Sequence, residues 1–452
     1  MKYRQLNSKE ILKSKRFDGS YHNADVNIYN SVITSHSSHT LSFYCSEIFT
    51  SGRNKRVYTK AEFGDPFLSN SDASSSDPFN TCKYSSKKYG YDESALLKGG
   101  MILTGRVGAI GQTVFVPKYW ERYRTQGSDN IIRIVVKPEF KNGFIYAYLA
   151  SKIGNLSFWK HATGGVQPFI TDKMVGQLPV PDFSESFQQE VDNLIQESAR
   201  LREEAANCLL EAHTLINRSF NDVYVKASGN VSVVNLRANN MIRFDASFHL
   251  SEAMQYEELI KQGEYKKLGE LCSSIVSGGR TKRIYTDTAS KGIPYLSNTD
   301  LNKANPLRSC KYALKSCLSS KETSLKNGMI VTGRVGSIGQ TQYIGQSYEM
   351  LHCIESDNVI RIVPRENNGY IYSFLSSKIG QYMFWKYSAG GVQPFISSKM
   401  ISHIIVPILS DSIILKCNKF IEDYSNKIEL SNTKENLAIS MVEQEIEKWN
   451  KY

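Results

Sequence analysis

The chain has 452 residues, 41% hydrophobic and 22% charged, which is enough for more than one hydrophobic core. Lys+Arg outnumber Asp+Glu by 55 to 44, and the net charge of +11 favours a polyanionic partner. Apolar runs fall short of the roughly 18 residues of a membrane span, the start MKYRQLNSKE lacks the apolar core of a signal peptide, and eight cysteines without a CxxC pair fit neither a disulfide scaffold nor a zinc module, so a cytoplasmic multidomain protein is expected.

In chain order, RFDGSYH (16–22) comes first and returns as RFDASFH (243–249). Next, SGRNKRVYT (51–59) returns as SGGRTKRIYT (277–286), and LSNSD (68–72) as LSNTD (296–300). TGRVGAIGQT (104–113) matches TGRVGSIGQT (332–341) at nine of ten positions. SDN (128–130) returns at 356–358, SKIG (151–154) at 377–380, and GGVQPFI (164–170) unchanged at 390–396. The offset stays between 226 and 228, so the chain is a collinear tandem repeat. A unit that long is large enough to own a core.

Within each copy, segments such as MILTGRV and NIIRIVV are β-branched and bounded by turn residues, which predicts short strands. NGFIYAYLASKIGNLSFW (142–159) has apolar residues at helical spacing. The copies therefore read as mixed α+β globules, at 1–183 and 243–409, each followed by a different kind of segment. From Phe187 through Val191, Leu194, Ser198, Leu201, Ala205, Cys208, Ala212 and Leu215 the spacing alternates 4 and 3, a coiled-coil seam. Residues 184–222 and 410–452 both lack Gly and Pro, and are predicted as long helices paired antiparallel as a coiled coil, with 223–242 as a linker. The first segment carries a net charge of −5 and the second −2, which leaves +18 on the rest. The globules carry the positive field, as two contacts on one polyanion require.

The candidate contact residues lie in the repeated loops. Arg53, Lys55, Arg56 and Tyr58, matched by Arg280, Lys282, Arg283 and Tyr285, place several cations beside an aromatic ring, as phosphate anchoring requires. Arg106 and Arg334 sit in the GxxGxxG turn, where an arginine can reach phosphate or a guanine edge. Asn70 and Asn298 have the chemistry for an adenine edge, although an Asx-turn needs the same residues. Gln167 and Gln393 ride on a loop fixed by Gly and Pro, and can reach a base.

Catalytic signals are weak. GDPF (64–67) and SDPFN (76–80) lack the second proline of an amino-methyltransferase loop, and the repeat replaces the first by KGIPY; proline in a loop explains both. GxxGxxG is followed by another strand-like segment, not by the helix a phosphate loop needs, so it reads as strand–turn–strand. Cys82 and Cys310 read as small buried residues, and Trp159 and Trp385 as core anchors. No HExxH or repeated His/Cys cluster suggests a metal.

Globule, long helix, similar globule, long helix resembles the specificity subunit of type I restriction–modification systems. The motifs that carry the resemblance are GGMILTGRVGAIGQT and GGVQPFI…KMVGQLPVP followed directly by a helix, repeated as GGVQPFI…KMISHIIVP. FSESFQQEV and SDSIILKCN depart from the Glu-Gln that the family has near that helix start. The resemblance implies a non-catalytic subunit that reads a bipartite site in double-stranded DNA, while two modification subunits supply methyl transfer and a restriction subunit supplies cleavage. No cofactor is expected in this chain, since nucleotide and S-adenosylmethionine would belong to those partners. The likeness of the two copies predicts a near-palindromic target. The competing readings are a free-standing DNA methyltransferase with degenerate motifs and a structural tandem-repeat adaptor.

Overall fold

NIIRIVV alternates in what its side chains bury, and that alternation sets the layers of each repeat. In the computed structural model, Ile132 and Ile134 face one core while Ile131 faces a second, smaller one. Val359, Ile360 and Ile362 divide in the same way in the second copy. The structure describes residues 7–449 except 18, 20, 54, 90–91, 165, 221–245, 250–251, 280–282, 287–288 and 316–323. The expected linker 223–242 thus lies outside the described residues.

Two compact units result, residues 1–203 with 430–452 and residues 204–429. In the first, α1 (Ala24–Ser35) precedes strands β1 (Cys45–Thr50), β2 (Tyr58–Thr59), β3 (Gly64–Leu68), β4 (Lys83–Ser86), β5 (Ile102–Gly105), β6 (Thr113–Phe115), β7 (Gln126–Gly127) and β8 (Ile131–Val136). A larger antiparallel sheet has the order β1-β8-β5-β6, and a smaller one β2-β4-β3-β7, in which only β3 and β7 run parallel. Helices α2 (Asn142–Ala150) and α3 (Lys152–His161) cover the larger sheet, with Phe144, Ile145, Leu149 and Phe158 in the core. The helical spacing over 142–159 is divided between these two helices. Ser151 leaves the helical conformation at ψ 161°, and its hydroxyl accepts from the Gly154 N–H to start the second.

The second unit repeats the plan with α5 (Glu252–Lys261), β9 (Cys272–Ser277), β10 (Tyr285–Thr286), β11 (Gly292–Leu296), β12 (Lys311–Leu314), β13 (Ile330–Gly333), β14 (Thr341–Tyr343), β15 (Ile354–Glu355) and β16 (Val359–Pro364), then α6 (Asn368–Ser376) and α7 (Lys378–Tyr387). Its sheets are ordered β9-β16-β13-β14 and β10-β12-β11-β15, strand for strand as in the first.

The long helices are α4 (Glu185–Arg218) and α8 (Asp411–Trp449). Within the first unit their contacts run antiparallel: the Phe183 ring, just before α4, stacks on Trp449 at 4.8 Å, and the Ser198 and Ser431 hydroxyls meet at 2.9 Å. Val191 and Ile195 join Ala438, Ile439, Val442 and Ile446 in the core there. Within the second unit, Lys427 pairs with Glu204 at 2.5 Å, and Ala205, Leu209, Ala212 and Ile216 pack with Ile414, Cys417, Ile421 and Tyr424. The buried stripe is wider than the alternating seam read from the sequence, because within each unit both helices pack against the globule there as well as against each other.

Candidate functional site

The GxxGxxG segment is strand–turn–strand, as expected. Gly108 (φ +76°) and Gly111 (φ +73°) take the left-handed conformation that glycine adopts without a Cβ penalty. At Gly105 a Cβ would lie 2.5 Å from the Ala109 carbonyl oxygen, so the chain doubles back only because no side chain is there. The turn draws distant loops together through the backbone of Arg106. Its N–H donates to the Asn130 carbonyl (2.8 Å), and its carbonyl accepts from the Ile170 N–H (2.9 Å). Asn70 Nδ2 donates to the same Asn130 carbonyl at 3.3 Å, and the Ser128 N–H donates to the Leu68 carbonyl at 2.9 Å. A capping box between Ser69 and Asp72 fixes the start of the short turn that carries Asn70.

The second unit repeats each of these links but one. The Arg334 N–H donates to Asn358 (2.8 Å), the Ile396 N–H to Arg334 (2.9 Å) and the Ser356 N–H to Leu296 (2.9 Å). Asn298 Nδ2 turns instead to the Val335 carbonyl, at 3.3 Å. In both copies the GGVQPF loop is pinned by Phe169 or Phe395, which bridges to the glycine turn and to Thr163 or Ala389. Gly164 (φ +99°) and Gly390 (φ +98°) turn that loop outward, leaving Gln167 and Gln393 exposed beside the fully exposed Val166 and Val392.

The basic loop joins the same cluster through an acid the sequence did not single out. Asp129 pairs with Arg53 Nε at 3.3 Å and with Arg56 at 2.5 Å. Burial alone would raise the Asp129 carboxyl, but the hydrogen bond and charge of Arg56, then Arg53, hold it below its ordinary value. The Arg56 guanidinium also lies over the Phe67 ring, 4.7 Å from its centre. Tyr58 is exposed with Lys83 over its ring at 4.7 Å, and Tyr285 is exposed with Lys311 at 5.2 Å. Arg283 lies over Tyr295 at 4.9 Å; Arg280 and Lys282 fall outside the described residues. Lys55 is exposed, and Arg106 and Arg334 are half-buried. The repetition of SDN in both copies was the available signal for Asp129. The charge inside NIIRIVV was the signal for Arg133, which is fully buried and donates to the carbonyls of Gly127 (2.6 Å), Ile131 (2.9 Å) and Ala95 (3.1 Å), holding the SDN loop from behind.

Other expectations change. GDPF is not a loop: Gly64–Leu68 is a buried strand, with Pro66 opposite Tyr84. Cys82 and Cys310 are buried, and burial pushes their thiols up to about 12 and about 11, so neither is a thiolate at neutral pH. Trp159 packs against the core, whereas Trp385 is 47% exposed and is no core anchor. No cluster of His, Cys, Asp and Glu among the described residues is arranged to hold a metal, and no described helix is long and apolar enough to cross a membrane.

Residues 261–439 match the family model of the type I restriction modification DNA specificity domain. No curated protein matches the chain. Among solved structures, the S subunit of a type I restriction–modification system from M. genitalium is similar at 16% identity and a TM-score of 0.33, covering 91% of this chain and 94% of that one. The HsdS subunit from Thermoanaerobacter tengcongensis is similar at 12% identity and 0.26, covering 90% and 95%. The assignment rests on the sequence match. Residues 261–439, fewer than half of the chain, are thus similar to the type I restriction modification DNA specificity domain, a non-catalytic domain, and a collinear repeat of them lies in front.

Proposed function

We propose that the chain reads a bipartite DNA site, one half with each repeat, and docks two modification subunits and a restriction subunit that perform the chemistry. One observation carries this reading: in each unit, loops far apart in sequence are tied to the backbone of one turn arginine, Arg106 or Arg334. The loops so gathered hold polar side chains suited to base edges and cations suited to phosphates. Arg53, Lys55, Arg56, Arg280, Lys282 and Arg283 anchor the backbone; Asn70, Asn298, Gln167, Gln393, Arg106 and Arg334 read bases; and Tyr58 and Tyr285 add contact surface beside the cations Lys83 and Lys311. Globules 1–183 and 243–409 act as the two readers, and helices 184–222 and 410–452 pair as an antiparallel coiled coil that sets the distance between half-sites. Readers with nearly the same contact loops read nearly the same bases, so a near-palindrome is expected. Genome-wide methylation calling in cells carrying this chain with its methyltransferase partner tests the proposal. The expected result is methylation at one interrupted motif whose halves are alike; absence of any bipartite motif overturns it.

A further inference from the structure

The smaller sheet of each unit has one face on which the two repeats share a register and differ in chemistry. In the first, Ser85 stands opposite both Tyr58 and Asp65, and Phe67 opposite Gln126. In the second, Ala313 stands opposite both Tyr285 and Ile293, and Tyr295 opposite Ile354. The polar residues Asp65, Ser85 and Gln126 are thus replaced position for position by Ile293, Ala313 and Ile354, which form a small apolar cluster under Tyr295.

Asp65 is only 2% exposed, and burying a carboxylate is costly unless it is paired. Its partners are the Gln126 amide at 3.5 Å, Arg124 Nε at 3.5 Å and Lys87 Nζ at 3.8 Å, all longer than a tight charged hydrogen bond. The second repeat builds the same register without the acid, so the fold does not require it. Asp65 pairs from below with two exposed cations, and the nearer is Arg124, whose side chain is 57% exposed. Arg124 sits at φ +50°, held by its N–H on the Glu121 carbonyl (2.9 Å); the equivalent residue, His352, sits at φ +52° on Glu349 (2.9 Å), and Ile293 stands at the register position of Asp65. The face is continuous with the loop cluster, because Arg56 covers Phe67, two residues along the same strand face from Asp65, and pairs with Asp129.

We infer that this sheet face is a second DNA-contact surface, on which Arg124 reads a guanine in the first repeat's half-site and for which the second repeat has no equivalent. The inference rests on the DNA-recognition reading above. An arginine fork matches the O6 and N7 edge of guanine; the histidine at the equivalent position has no such fork. Asp65 is a positioning residue for Arg124. The half-sites therefore share the bases read by the loops and differ where Arg124 acts.

Methylation calling in cells carrying the full chain with its partner, as wild type, Arg124→Ala, Arg124→Lys, Asp65→Asn or His352→Ala, tests this. Arg124→Ala and Arg124→Lys should both make one guanine of one half-site degenerate, relaxing its preference by roughly 5- to 150-fold. Arg124→Lys keeps the charge, so overall methylation should survive. Asp65→Asn should relax the same position more weakly, and His352→Ala should leave both half-sites unchanged. An unaltered motif in both Arg124 variants overturns the inference, as does loss of methylation at every site in both. If the wild type itself shows no bipartite motif, the DNA-recognition reading fails instead.

Discussion

Glycine does two different jobs in the turn that gathers the loops, and substitution separates them. At Gly108 (φ +76°) nothing lies within 4 Å of a Cβ, so Gly108→Ala meets only the left-handed backbone penalty, about 1–2 kcal/mol. At Gly105 a Cβ would strike the Ala109 backbone at 2.5 and 2.8 Å, which no side-chain movement relieves. Gly105→Ala should destabilise by more than Gly108→Ala, about 3 kcal/mol or above. Urea unfolding of the two variants measures the difference; equal losses would mean that the turn relaxes freely. Asp129 shows how a loop of cations can be ordered before any ligand arrives. Its carboxyl holds Arg53 and Arg56 within 3.3 Å.

At the scale of elements, the long helices carry groups that their globules bury. His213 on α4 bonds Ser376 on α6 at 2.8 Å, and burial pushes its imidazole down to about 4. A folded value below the unfolded 6.5 means that protonation favours the unfolded chain. Its contribution is complete above about pH 6.5, declines as pH falls toward 4, and is constant below that. The residue is half-buried, so solvent screens the effect and the loss should be on the order of 1–2 kcal/mol. His213→Gln should flatten that part of the profile. Urea midpoints at pH 7.5 and 5 for wild type and variant check it, and parallel shifts in both would show that His213 titrates without consequence. The broken helix at Ser151 belongs to this scale too. Apolar spacing continues across the break, so periodicity alone predicts one helix, and the side-chain cap on Gly154 decides for two.

For the whole molecule, the test is the ruler. A seven-residue deletion within 187–215 removes two helical turns, roughly 10 Å, while keeping the apolar phase. The methylated motif should then change its spacer and keep the bases of both halves. An unchanged spacer in a folded variant would place the ruler elsewhere. The net charge of +11 divides between acidic helices and basic globules, so association with DNA should depend steeply on salt.

The sequence by itself determined the tandem repeat, the strand–turn–strand at GxxGxxG, the long helices and the family resemblance, because each is written in local pattern: identity at a fixed offset, alternation, and freedom from Gly and Pro. Only the tertiary structure decided which loops meet. Arg106 joins Asn130 and Ile170 through backbone hydrogen bonds, the Asn70 amide donates to the Asn130 carbonyl, and a carbonyl carries no mark in a sequence. Tertiary register likewise decided that Asp65 lies beneath Arg124, 59 positions later in the chain, while Ile293 takes its place in the second copy. Strand pairing between segments far apart sets such neighbours, and no spacing along the chain encodes it.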